Sequence, residues 1–467
     1  NTTGAGNVAV GTYALDANTT ANNGTAVGYG ALSANTTAAD NTGIGYLALQ
    51  VNTTGAKNTA VGSLALDANV DGSNNTAVGY GASTTLITNS NTAAVGYKAL
   101  HVNTAANNTA VGSQALLTNS TGASNTALGT SALYANTTAS RNTGIGTEAL
   151  KDNTTGAENT GLGYRALLAN TTGNRNVAIG DVSLDANTTG SDNVAVGQQA
   201  LGANTTGNYN VAVGKSSLAA NTTAASNTAV GWSTLSANTT GTLNTAVGFG
   251  ANDACTIGRY NTSLGAYALT TDIDGDYSVA IGYKALELQE SDGANQAVYN
   301  TAIGVMAGNA VTIGKNNTFV GGLAGDATVD SSDNTAVGYL ALSADSGGTS
   351  TAVGALALQI TTGYDNTAMG YNAGSAATSG YNNLILGHDA AITGSPGGNL
   401  TSENNEICLG DENISTANIQ VDWTVASDER DKTDFTALDV GLDFVNALAP
   451  VTYKWDKRAK YIDKDDP

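Results

Sequence analysis

A phrase with the consensus Asn-Thr-Ala-Val-Gly-Tyr-x-Ala-Leu-x-Ala-Asn-Thr-Thr-Gly-x-x returns 24 times between Gly11 and Gly410, almost always at a spacing of 17 residues. The glycine closing its apolar tetrad recurs at Gly11, Gly28, Gly45, Gly62, Gly79 and Gly96, slips by one residue to Gly112, and then holds its period to Gly282. Looser registers continue through Gly304, Gly321, Gly338, Gly354, Gly370, Gly387 and Gly410. A self-similar unit this short cannot enclose its own apolar side chains, so it has to stack on its neighbours. The expected fold is all-β, a parallel β-solenoid with one 17-residue coil per repeat over residues 1–410.

Composition matters here for what it excludes. Glycine at 58 of 467 residues without a three-residue period is not collagen, and three prolines with 12% charge do not describe a disordered acidic tail. No run of 18 apolar residues exists, so no membrane insertion by a helix is expected. A formal charge of −21, with only 17 lysines and arginines to meet phosphates, argues against a nucleic-acid partner. Cys255 and Cys408 form no metal or redox motif, and both are expected to be small buried residues. No motif calls for a cofactor. The chain opens on Asn1-Thr2-Thr3-Gly4, already the second half of a repeat, so a targeting or anchoring segment upstream is expected.

Within the unit, two short extended segments are expected. The first is the tetrad Asn58, Thr59, Ala60 and Val61, with Thr and Val pointing one way and Ala the other. The second is the Ala65-Leu66 pair, whose leucine position is Leu in 17 of 24 repeats. Turns follow at Gly-Tyr and at Ala-Asn-Thr-Thr-Gly. The slot before the repeat glycine is Val, Ile, Leu or Met throughout, whereas the alternate slot is small and should face either the narrow interior or a neighbouring chain. Association of copies through it predicts an oligomer, a trimer. Asn stands four residues before the glycine in 19 of 24 repeats, as at Asn7, Asn41, Asn58, Asn108, Asn125 and Asn142, and predicts an amide ladder in which each side chain bonds its copy in the next coil. The Asn-Thr-Thr turns also spell glycosylation sequons, read here as a by-product of the repeated turn.

The phrases Asn176-Val177-Ala178-Ile179-Gly180 and Ser278-Val279-Ala280-Ile281-Gly282 resemble the head repeats of trimeric autotransporter adhesins. That resemblance, over roughly residues 1–410, implies a left-handed β-roll and a homotrimer of rolls packed side by side.

After Gly410 the chain changes. A neck over residues 411–426 leads into residues 427–467, which hold 17 of the 55 charged residues and lack the repeat. Ser427-Asp428-Glu429-Arg430-Asp431-Lys432, the run Val440 to Leu448, and Pro450-Val451-Thr452-Tyr453-Lys454-Trp455 together resemble the start of the endosialidase-type intramolecular chaperone of bacteriophage tail fibres and tailspikes. The resemblance implies a short α+β segment that trimerises the fibre and is released by a single serine-dependent cut. It also implies Ser427 as nucleophile, Lys432 as its base and the Ala426–Ser427 bond as the target. A lysine amine with a lowered pKa can take the serine proton and start acyl transfer, but the carboxylate of Asp431 beside Lys432 would tend to keep that amine charged and the resemblance covers only the start of the chaperone, up to Pro467, so self-cleavage is not expected of residues 1–467 alone. Leu438, Leu442, Val445 and Leu448 fit one apolar helix stripe.

Aromatic residues recur just after the repeat glycine, among them Tyr29, Tyr46, Tyr80, Tyr97 and Trp232, and a row of rings could stack on a host glycan. Packing along a corner is the competing explanation. Asp272-Ile273-Asp274-Gly275-Asp276 resembles a calcium loop but has its glycine too early, so no metal is expected. Inserts at residues 287–299 and 393–403 are expected to project as loops. The reading these features support is the shaft of a trimeric virion tail fibre, extracellular, attaching to a host-surface glycan or protein receptor and held by a baseplate or anchor protein through an upstream region. A bacterial cell-surface adhesin or extracellular filament is the alternative. An ice-binding solenoid would need outward Thr-x-Thr arrays, and adjacent Thr-Thr pairs do not supply them.

Overall fold

The computed structural model describes residues 2–293 and 296–418. Asn1–Ile414 form one compact unit, and the chain from Ser415 to Pro467 is a second. The first unit is a parallel β-solenoid with 24 three-residue strands, numbered in chain order from β1 (Val8–Val10) to β24 (Ile407–Leu409). Every strand pairs in parallel with the next one in sequence. Thr59, Ala60 and Val61 of β4 (Thr59–Val61), for example, lie beside Thr76, Ala77 and Val78 one coil on. No helix occurs among the described residues.

Each coil has one strand, not two. The Ala-Leu pair expected to be extended is instead a tight turn, in which Leu66 has φ +49° and is fully buried. The same left-handed backbone recurs two residues earlier, at Leu64, and again ahead of the next strand, at Asn74. Such conformations cost an L-residue roughly 1–2 kcal/mol. They persist because the turn half of the coil is hydrogen bonded to its neighbours as regularly as the strand. Leu66 N donates to Ala82 O at 3.1 Å, and Leu64 N donates to Tyr46 O at 2.9 Å. Burial of the leucine side chain, worth about 1.5–3 kcal/mol, offsets the rest.

The small slot faces the interior of the coil. Ala60, Ala110 and Ala229 are fully buried, whereas the Thr and Val on either side of each alanine point outward and are partly exposed. The aliphatic slot is therefore the outer face and not the core, so the alternation is as expected and the interior is narrower. That interior has three stacked apolar columns: the small slot of the strand, the alanine of the turn such as Ala65, and the leucine that follows it. A small-slot residue meets the leucine position eleven residues before it: a Cβ on Gly43 would sit 3.1 Å from Leu32 Cγ, and one on Gly144 would sit 3.2 Å from Leu133 Cγ. Where Phe319 enters the small slot of β19 (Thr318–Val320), both leucine positions beside it are glycine, and a Cβ on Gly308 or Gly325 would lie 2.8 or 2.4 Å from its ring. Ile385 is matched in the same way by Gly374.

The repeat glycine allows no other residue. Gly62 has φ +140°, and a Cβ there would meet the carbonyl oxygen of Gly79 at 2.4 Å. Consecutive glycines thus stack directly, as one coil per repeat demands.

Two asparagine columns complete the interior. The asparagine before the strand is buried as expected but bonds to backbone: Asn58 Oδ1 accepts from Asn75 N at 2.9 Å and its Nδ2 donates to Gly72 O at 2.8 Å. Side-chain contact between copies is secondary there, at about the 3.1 Å of Asn193 Nδ2 to Asn176 Oδ1. The ladder of amide to amide belongs to the turn asparagine. Asn69 Nδ2 donates to Asn52 Oδ1 at 2.7 Å, and the longest run extends from Asn103 through Asn119, Asn136, Asn153, Asn170, Asn187, Asn204 and Asn221 to Asn238. Asn52 and every member of the long run from Asn119 to Asn238 are sequon asparagines. Being fully buried, they offer no nitrogen to a glycosylating enzyme.

Candidate functional site

The surface with the most regular chemistry is the outer face of the sheet. Each three-residue strand turns its first and third side chains outward, because successive Cβ atoms alternate across a strand. The first position is Thr in 16 of the 24 strands and the third is always Val, Ile, Leu or Met. The result is a hydroxyl ladder beside an aliphatic ladder. Leu128 is 46% exposed, Leu162 is 41% and Met369 is 53%, so the aliphatic ladder faces water along the whole unit.

Aromatic rows flank that face. Tyr29, Tyr46, Tyr80, Tyr97 and Trp232 all lie on the corner that follows the glycine, 48–52% exposed. They do not stand free. Tyr29 and Tyr46 stack at 5.7 Å, Tyr80 and Tyr97 at 5.8 Å, and Trp232 and Phe249 at 4.7 Å, with planes within 18° of parallel. Each ring covers one face of its neighbour. A second row, not anticipated, precedes the strand at Tyr260, Tyr277 and Tyr299, stacked at 4.9 and 5.2 Å. Its sequence signal is an aromatic residue recurring five positions before the repeat glycine.

The aspartates of the calcium-like loop have structural partners. Asp276 bonds Arg259 at 2.8 Å, and the buried Asp272 accepts from Gly275 N at 3.1 Å and Gln289 Nε2 at 2.9 Å. Burial, with Asp274 and Asp276 nearby, pushes the Asp272 carboxyl up to about 6. The insert after Asp276 folds back onto the coil instead of projecting: Asp276 N donates to Gln296 O at 2.8 Å, and Gln289 is fully buried. In the second insert, Ser395 and Leu400 are buried, and Ser395 Oγ donates to Asp389 O at 2.9 Å. Cys255 and Cys408 are both buried and free, and burial pushes the Cys255 thiol up to about 12. No helix of the described residues is long and apolar enough to cross a membrane.

Ser427, Lys432 and the Ala426–Ser427 bond lie outside the described residues, as does the helix stripe from Leu438 to Leu448. The solenoid defines a structural repeat protein, and the C-terminal sequence adds a second component. Residues 427–466 match the family described as chaperone of endosialidase, a self-cleaving intramolecular chaperone. Solenoid and chaperone together fit a tail-fibre or endosialidase-type protein. Comparison with curated proteins gave no match.

Proposed function

We propose that the chain is the shaft of a homotrimeric tail fibre, carried outside the cell on a virion, that reaches a host surface and attaches to a glycan or protein there. The observation that supports this reading is the aliphatic ladder on the outer face, continuous through all 24 strands and joined in the same chain to a segment that matches the chaperone of endosialidase. Three parallel shafts laid face to face would withdraw that ladder from water, at about 25 cal/mol per Å² of apolar surface buried. They would leave the aromatic rows at the rim, where edges and hydroxyls can meet a receptor. Sedimentation equilibrium of the full chain tests the assembly: three times 46.4 kDa is expected, and Val111→Lys, Ile145→Lys and Ile179→Lys together should give a folded monomer. A wild-type monomer, or a triple variant that stays trimeric, rejects the proposed face. Failure of labelled trimer to bind any host cell would reject attachment separately.

A further inference from the structure

The buried apolar side chains form two clusters, one ending at Ala251 and Cys255 and the other starting at Ala268. We infer that the shaft is two cooperative blocks joined at a polar fault between β15 (Thr245–Val247) and β16 (Thr262–Leu264), and that the blocks open and melt separately.

The fault follows from the packing rule of the interior. A leucine-column residue packs against the small-slot residue eleven positions later, as Leu32 does with Gly43, Leu133 with Gly144 and Leu150 with Gly161. In the coil of Gly248 the leucine position is Asn252, and eleven residues on the small slot is Ser263. Both are fully buried. Among the described residues, neither Nδ2 nor Oδ1 of Asn252, nor Oγ of Ser263, has a hydrogen-bond partner. Three polar atoms without partners thus lie where every regular coil has methyl groups, and unpartnered buried polar groups weaken the layer that contains them.

The asparagine column fails in the same coils. Cys255 takes the place of the turn asparagine, which leaves Asn238 Oδ1 without a partner, and the following coils carry Asp272 and Gln289 there. Regular spacing is lost just beyond, since β17 (Val279–Ile281) and β18 (Thr301–Ile303) are 22 residues apart. Interruption of both columns does not by itself divide the core: Ser83 also occupies a leucine position with its hydroxyl unpartnered, and Leu86 stands in the asparagine column and orphans Asn69 Oδ1, yet Leu86 returns a buried leucine to that layer, Ala94 keeps the small slot apolar, and the apolar cluster runs through Ala82, Leu86 and Ala94. In a solenoid each coil is held only by the coils beside it, so the layer of Asn252 and Ser263, which loses its leucine with no leucine in its place and carries three unpartnered polar atoms, is where the array decouples.

Hydrogen exchange on the full chain, followed by mass spectrometry, tests the inference without any variant. Amides of Thr245–Val247 and Thr262–Leu264 should exchange at least about tenfold faster than those of Thr126–Leu128 or Thr335–Val337, and the thermal melt should have two steps. The double variant N252L/S263A restores the regular interior, and it should bring the seam to the exchange rate of the blocks and merge the steps. Equal protection of seam and block in the wild type overturns the inference, and so does a folded double variant with seam exchange and melting steps unchanged.

Discussion

The most unusual residues are the leucines with left-handed backbone, for their stability depends on which side chain takes that conformation. Val182, at φ +46°, is β-branched at such a position, where a branch at Cβ crowds the backbone. Val182→Asn should therefore raise stability by about 1 kcal/mol in chemical denaturation, and a decrease would show that its packing outweighs the strain. Phe319 offers a sharper test because it replaces an alanine and is accommodated by glycines. Phe319→Ala should cost about 3–5 kcal/mol by leaving a cavity, and Gly325→Leu should also destabilise, its Cβ being 2.4 Å from the ring. Combined, the two changes refill one of the two glycine positions that accommodate the ring and should recover part of the loss. Additive losses in that double-mutant cycle would disprove the compensation. Elsewhere in the same column, Ala60→Leu, Ala110→Leu and Ala229→Leu should each cost about 1–3 kcal/mol by overpacking the coil itself, visible as a lower melting temperature.

At the scale of the coil, the amide columns decide how firmly neighbours are tied. Asn153→Ala in the middle of the long ladder orphans a donor of Asn170 and leaves Asn136 Oδ1 with only the longer 3.4 Å bond from Asn142 Nδ2, which should cost roughly 1–3 kcal/mol for the group left unpaired. The ladder is interrupted at Leu86, where Ser83 and Leu86 have exchanged polar and apolar character and Asn69 Oδ1 has no partner. The double variant S83L/L86N should join the runs on either side and stabilise the shaft. Asp272 adds a pH dependence. Its carboxyl titrates at about 6 in the folded coil against 3.8 unfolded, so the folded state holds the proton longer. Stability should then fall as pH rises from about 4 to about 6 and level off above. Asp272→Asn should stabilise the shaft at pH 7 and flatten that slope in denaturation curves measured across the range; an unchanged slope would assign it to other groups. The period, the strand at Thr59–Val61 and the stacked glycines could all be read from the sequence, because they depend on spacing alone. Which face turns inward could not, since alternation is symmetric until Phe319 and its glycines break the tie. The Ala65-Leu66 turn was hidden because leucine rarely adopts positive φ, and only repetition of the inter-coil hydrogen bonds makes that conformation affordable. The stacked state of Tyr29 and Tyr46 is set by a neighbour one coil away, which their shared position implied but did not prove.

For the whole molecule, the chaperone segment carries a prediction of its own. Fused to a complete chaperone of the matched family, the wild type is expected to be cut between Ala426 and Ser427, while S427A and K432A remain full length on denaturing gels. A full-length wild type, or equal cleavage of either variant, would assign residues 427–467 to folding alone. At about 4.8 Å per coil the 24 strands make a shaft on the order of 115 Å, and nothing in the fold fixes that figure. Every strand contacts only its two neighbours in sequence, in the same register from coil to coil. Replication slippage or recombination between near-identical repeats that gains or loses seventeen codons would therefore change the reach by one rung and leave every remaining contact intact. Length is thus a heritable quantity that selection can adjust in steps of half a nanometre, without having to solve the folding problem again.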